Sequence, residues 1–183
     1  LVDGREGSTL CDCPITEGYC EAVCRALGSD LSFSWREGGL EREALRKDAP
    51  TAPVLIPDEY TGYRKVGGNG PRNTRLKFPQ QSASLTTRWC SSVGKISAMD
   101  AWLTNEPRFR DGAKRLVITG ERAEESANRA RYAVFEPHRS DLRHGTRYTR
   151  WFDHWRPVHG WSTQQVWDII KRHRIVAHPC YWL

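Results

Sequence analysis

No stretch of this chain approaches the roughly 18 consecutive apolar residues that a membrane-crossing helix needs. Nor does a charged-then-apolar leader open it, so a cytoplasmic protein with no membrane partner is the expectation. No serine sits in a nucleophile elbow, and the histidines come late in the chain without a partner motif, which removes the usual Ser-His-Asp arrangement. Cys11, Cys13, Cys20 and Cys24 contain no C-x₂-C pair of the kind a zinc knuckle uses. The glycine-rich run Gly67-Gly68-Asn69-Gly70-Pro71 lacks the lysine and Ser/Thr that end a P-loop. No internal repeat is present.

What remains is the composition of a folded chain. Its 183 residues, 38% of them hydrophobic and eight of them tryptophan, are enough to bury one core, so a single domain over 1–183 is expected. A formal charge of +6 welcomes polyanions or nucleotides; the basic residues gather mainly in Arg139–Arg150 and Lys171–Arg174. The chain starts on Leu1-Val2-Asp3-Gly4, which reads as a buried strand and its exit turn, and it stops on Tyr181-Trp182-Leu183. Both ends look cut from something longer. Cys20 and Cys24 would share one face of a helix, where a mutual disulfide is geometrically awkward, so reduced thiols are expected, some of them buried as small hydrophobes.

Along the chain, Cys20, Val23, Cys24 and Leu27 recur at helical spacing. The pattern predicts a helix capped by Thr16 and stopped by Gly28. Leu31–Trp35 alternates as a strand, and strand, helix, strand within about 35 residues predicts a right-handed βαβ unit. A short helix is expected near Leu40–Lys47. Residues 49–84 then read as a long basic excursion rich in glycine and proline. Helices follow over Ser92–Leu103 and from the capping box of Ser162 and Gln165 to His173, the latter burying Val166, Ile169 and Ile170. Trp151–Val158 reads as strand or extended chain.

Two places carry chemistry. Leu116, Val117 and Ile118 read as a parallel strand buried on both faces. Gly120 ends it and releases Glu121, Arg122, Glu124, Glu125, Ser126 and Arg129 into a helix-like pattern. Open α/β sheets place ligands where a strand empties in this way. Arg122, Arg129 and the first turn of the helix would all favour an anion there; a solvated strand-to-helix connection explains the same residue types. Cys90, between Arg88 and Lys95 near a helix start, has the electropositive setting of a nucleophilic or metal-binding thiolate, or is a buried inert thiol.

Taken together, RWCSSVGKI at 88–96, GERAEESANRARY at 120–132, DHWRPVHGWSTQQVWDII at 153–170 and HPCY at 178–181 resemble the phosphoadenosine phosphosulfate reductase family of the adenine-nucleotide α-hydrolase-like, or ATP-pyrophosphatase, superfamily. SWREGG at 34–39 fits the same pattern, so the resemblance covers nearly the whole chain. It implies an α/β fold with a doubly wound, mainly parallel, Rossmann-like sheet and flanking helices. The first strand and the SGG-x-DS phosphate loop are not in this sequence, nor are the glycines and cysteine pair that follow HP-x-Y in relatives. By similarity, Asp3, Gly4, Gly120, Glu121, Arg122, Glu125, Ser126 and Arg129 would bind ATP or phosphoadenosine phosphosulfate. Cys90 and Lys95 would be catalytic, with Cys90 matching a cysteine that iron–sulfur members keep as a cluster ligand; magnesium is the other metal implied. Expected partners are a thiol or sulfur donor protein. The expected activity is sulfate reduction or adenylation-linked sulfur transfer. Two rivals keep the fold: a nucleic-acid-directed sulfurtransferase, motivated by basic residues at 64–77 and 139–150, and a non-catalytic binding module.

Overall fold

The computed structural model describes residues 13–182 except 81, 83 and 85. The expected strand at Leu1–Val2, with Asp3 and Gly4, lies outside the described residues. The class is mixed α/β. Among the described residues two small sheets and four α-helices form two compact units, meeting in sequence between Asn105 and Glu106.

In the first unit, helix α1 spans Thr16–Leu27, and Gly28 closes it in the left-handed conformation, with φ of 62°. That is the predicted helix and stop, except that Ile15 is the N-cap and Thr16 the first helical residue. Cys20, Cys24 and Cys90 are free, half-buried thiols, so the expectation of reduced cysteines is met at these three; it fails at Cys13 and Cys180, which are disulfide-bonded.

Strand β1 is only Trp35–Arg36, and it pairs antiparallel with β2, Val54–Asp58. The predicted right-handed βαβ unit would need the strand at Leu1–Val2, which lies outside the described residues; the one partner of β1 among the described residues is β2. Helix α2, Gly39–Ala44, follows β1. The supposedly irregular excursion contains an antiparallel hairpin, β2 with β3, Gly62–Val66. Its turn is organised by Asp58, whose carboxylate accepts from the backbone N–H of Tyr60 and of Thr61 and from the Thr61 hydroxyl. Val54 and Ile56, two residues apart, face inward and pack on Ala98 of helix α3, Ser97–Asn105.

A π-helical segment, Ser91–Ile96, leads into α3. Wide turns of this kind release backbone carbonyls from the helix ladder. Here the Val93 carbonyl accepts from the Ser97 hydroxyl at 2.8 Å and from Arg36 Nε at 3.2 Å.

In the second unit the sheet order is β4-β6-β5. Strand β4, Asp111–Ile118, runs parallel to β6, Thr149–Trp155, which also pairs antiparallel with β5, Phe135–Pro137. Among the described residues the parallel ladder is confined to β4 and β6. The expectation that β4 is buried on both faces fails: Leu116 is 49% and Ile118 58% exposed. Burial is concentrated in β6, where Phe152 is 2% exposed and meets Phe109 edge-on at 5.4 Å. Helix α4, Thr163–Arg172, has the predicted capping box: Ser162 Oγ accepts from the Gln165 N–H, and Gln165 Oε1 from the Ser162 N–H. Val166, Ile169 and Ile170 are half-buried, not buried as predicted.

Candidate functional site

The turn leaving β4 is where the sequence motif and the sheet direction coincide. The Thr119 N–H still bonds the Trp155 carbonyl, carrying the β4–β6 ladder one step past Ile118. Gly120 follows with open space around its α-carbon. No α-helix starts here: short 3₁₀ turns, Ala123–Glu125 and Arg129–Arg131, replace the expected helix. The anion-favouring first turn anticipated from sequence is thus absent at this point. A helix start does reach the turn from elsewhere, because the Glu124 carboxylate accepts from the Thr163 N–H at the head of α4 at 3.1 and 3.2 Å, and also from the Thr163 hydroxyl. Those hydrogen bonds hold its carboxyl below the usual carboxylate range.

Arg122 and Arg129 meet on one carboxylate. Arg129 Nη1 is paired with Glu125 Oε2, and Arg122 Nε lies 3.8 Å from Glu125 Oε1. Arg122 also donates to Thr163 Oγ1 at 3.1 Å. Ser126 Oγ accepts from the Arg129 N–H at 3.2 Å and fixes the turn between them. Arg122, Glu125, Ser126 and Arg129 are therefore brought together in one turn.

Glu121 has other company. Its Oε2 accepts from Arg156 Nε at 2.7 Å, and Thr119 Oγ1 stands 3.3 Å away. Arg156, 6% exposed, also reaches the Ala133 carbonyl, Glu136 and His154. Burial, and then the Arg156 charge, push the His154 imidazolium pKa down. Arg156, His154, Thr119 and Glu121 thus close a ring at the outgoing ends of β4 and β6. His159, 9% exposed, donates through Nε2 to the Arg129 carbonyl at 2.8 Å, and its own carbonyl accepts from the Ala123 N–H. Of these residues the sequence singles out Glu121 alone; Thr119, His154, Arg156 and His159 carry no assigned role there. The one available signal was the D-H-W-R-P-V-H spacing directly after a tryptophan-rich strand.

Cys90 and Lys95 belong to the first unit. Cys90 precedes the π-helical segment and Lys95 lies exposed within it. Beside Cys90, Arg88 Nε and Trp89 Nε1 are buried donors without hydrogen-bond partners among the described residues. Arg75 stacks over the Trp89 ring at 4.4 Å. Cys90 joins no group of three or more His, Cys, Asp or Glu ligands among the described residues, so the residues around it do not fit a four-thiolate cluster.

Several members of the basic stretches are tied to internal acceptors. Arg64 pairs with Asp58, Arg72 with Asp48 and Arg75 with Glu43. Arg143 pairs with Asp141 and Asp153, and Arg150 is buried on the Ser140 carbonyl. No helix among the described residues is long and apolar enough to cross a membrane.

The phosphoadenosine phosphosulfate reductase domain model matches residues 59–182, more than half of the chain. No curated protein matches, and no solved structure does.

Proposed function

Because the chain belongs to the phosphoadenosine phosphosulfate reductase domain family, we propose that the turn after β4 binds the anionic end of an adenine nucleotide, for reduction of activated sulfate or adenylation-linked sulfur transfer. One observation supports this above the others: Arg122 and Arg129 both address the Glu125 carboxylate at the outgoing end of β4. A carboxylate there has the charge and the planar acceptor geometry of a phosphate or sulfate edge. On binding, the nucleotide's anion takes over the arginines and Glu125 turns to solvent. Gly120, with no side chain, leaves room for the ligand to approach the backbone. Glu121 does not touch the nucleotide in this reading; it anchors the turn through Arg156.

The doubly wound sheet expected of the family is part of the proposal, with β4 and β6 as its parallel pair. Cys90 acts as a thiol, with the unpartnered Arg88 and Trp89 donors favouring an anion beside it. In the reductive case a dithiol is oxidised to a disulfide, its two electrons reduce the sulfuryl sulfur, and sulfite and adenosine 3′,5′-bisphosphate leave. The pairing of Arg64, Arg72, Arg75, Arg143 and Arg150 with internal acceptors weakens the motive for a nucleic-acid substrate.

Calorimetric titration with phosphoadenosine phosphosulfate and with ATP tests the site directly. Heat with either, lost in Arg122→Ala, is the expected result. Absence of heat with both removes the nucleotide reading. Sulfite release with a dithiol, against pyrophosphate release from ATP, then separates the two reactions.

A further inference from the structure

The first unit holds a buried guanidinium that has no ion-pair partner of its own among the described residues. Arg36 is 8%, Arg46 7% and Glu43 1% exposed. The single carboxylate, Glu43, is spent on two other guanidiniums: Arg46 reaches both of its oxygens at 3.0 Å, and Arg75 reaches Oε1 at 2.9 Å. Arg36 has no carboxylate within ion-pair distance among the described residues. Its Nε donates to the Val93 carbonyl, Nη1 to the Ala52 carbonyl and Nη2 to Ser97 Oγ. These partners are all neutral. They use three of the five N–H donors of a guanidinium and cancel none of its charge. Buried charges are otherwise found paired.

Arg36 lines a cleft of about 330 Å³. The glycine turn after β3, where Gly67 and Gly68 have φ of 74° and 86°, lines the same cleft. The N–H groups of Gly67, Gly68 and Gly70 make no hydrogen bond among the described residues, and neither does the Thr51 hydroxyl, which lines the same cleft. A cationic wall, unbonded amides and a spare hydroxyl around one small cavity make a matched set of donors for tetrahedral oxyanions.

We propose that this cleft is a second anion site, which takes a phosphate or sulfate group, free or as the head of a small ligand, with Arg36 as its counter-charge. The site is independent of the nucleotide reading.

The test is thermal unfolding of the full chain with inorganic phosphate, with sulfate, and with chloride at matched ionic strength. A ligand that binds only the folded state raises Tm by mass action; 50 mM of an anion bound at millimolar affinity gives a rise of about 5 °C. Arg36→Gln should abolish the response. Because Arg36 also ties β1 to the π-helical segment, Thr51→Glu serves as a second variant: it brings a tethered carboxylate into the cleft. That variant should melt higher than the parent in chloride and ignore phosphate and sulfate. Preference for phosphate or for sulfate identifies the head group, and either meets the proposal. A parent chain that responds to neither beyond chloride overturns it. So does an undiminished response in Thr51→Glu, which would mark an adventitious ion elsewhere. No nucleotide is used, so a negative result leaves the site after β4 untouched.

Discussion

Arg156 donates through Nη2 to Nδ1 of His154 at 3.0 Å. A guanidinium has no acceptor, so Nδ1 carries no proton, and the ring hydrogen sits on Nε2, which donates to Thr119 Oγ1 at 2.8 Å. Protonating His154 would break the first of these bonds and set two cations side by side. Burial and Arg156 accordingly place its folded pKa below the ordinary 6.5. For a histidine with a depressed folded pKa, the unfolded chain takes up a proton near pH 6.5 that the folded chain refuses. The stability due to this group is full above that pH and declines as pH falls toward the folded value. His154→Gln, uncharged throughout, should therefore flatten the acid limb of a plot of Tm against pH below about 6.5. An unchanged limb would show that other groups set it.

Glu125 competes with ligand for the two arginines. Arg122→Ala or Arg129→Ala should weaken nucleotide binding by about 1–3 kcal/mol, the range for a charge-assisted hydrogen bond. Glu125→Gln should act in the opposite direction, tightening binding by releasing both guanidiniums. Titration calorimetry on the three variants separates this from a purely structural role, in which all three would weaken binding alike.

Caps and charge bursts are local, and they were legible. Gly28 stops α1 and Ser162 with Gln165 starts α4 as their residue types dictate, and Arg122 with Arg129 stands out against the short apolar run of β4. The β2–β3 hairpin was hidden because Pro57 and the following glycines read as irregular chain, although Val54 and Ile56 alternate. Leu116-Val117-Ile118 misled for a different reason: three aliphatics in a row do not say which sheet faces are covered. The His154 ring could not be read at all, since it exists only once the β4–β6 register sets Val117 beside His154 and Ile118 beside Trp155.

Among the described residues Glu43 is the sole counter-charge that Arg46 and Arg75 find in the interior of the first unit. Removing one member of a buried ion group strands the others, at about 3–5 kcal/mol. Glu43→Gln keeps the shape and loses the charge, so urea unfolding should report a loss of that size. A change below about 1 kcal/mol would mean that water reaches these guanidiniums.

The exposed face of the second sheet carries an apolar row. Ile118, Trp155 and Phe135 are registered neighbours across β4, β6 and β5, at 58%, 39% and 58% exposure. Registered neighbours share a sheet face, so the three side chains form one contiguous surface, and apolar patches of this kind bind hydrophobic dyes. Ile118→Thr and Phe135→Thr keep β-branching or strand compatibility at the two most exposed positions while removing apolar area. Because little of either side chain is buried, each substitution should cost no more than about 0.5 kcal/mol, yet the pair should lower anilinonaphthalene sulfonate fluorescence markedly. If the double variant instead unfolds readily, these residues are supporting the β4–β6–β5 sheet from within, and the row is not a free surface.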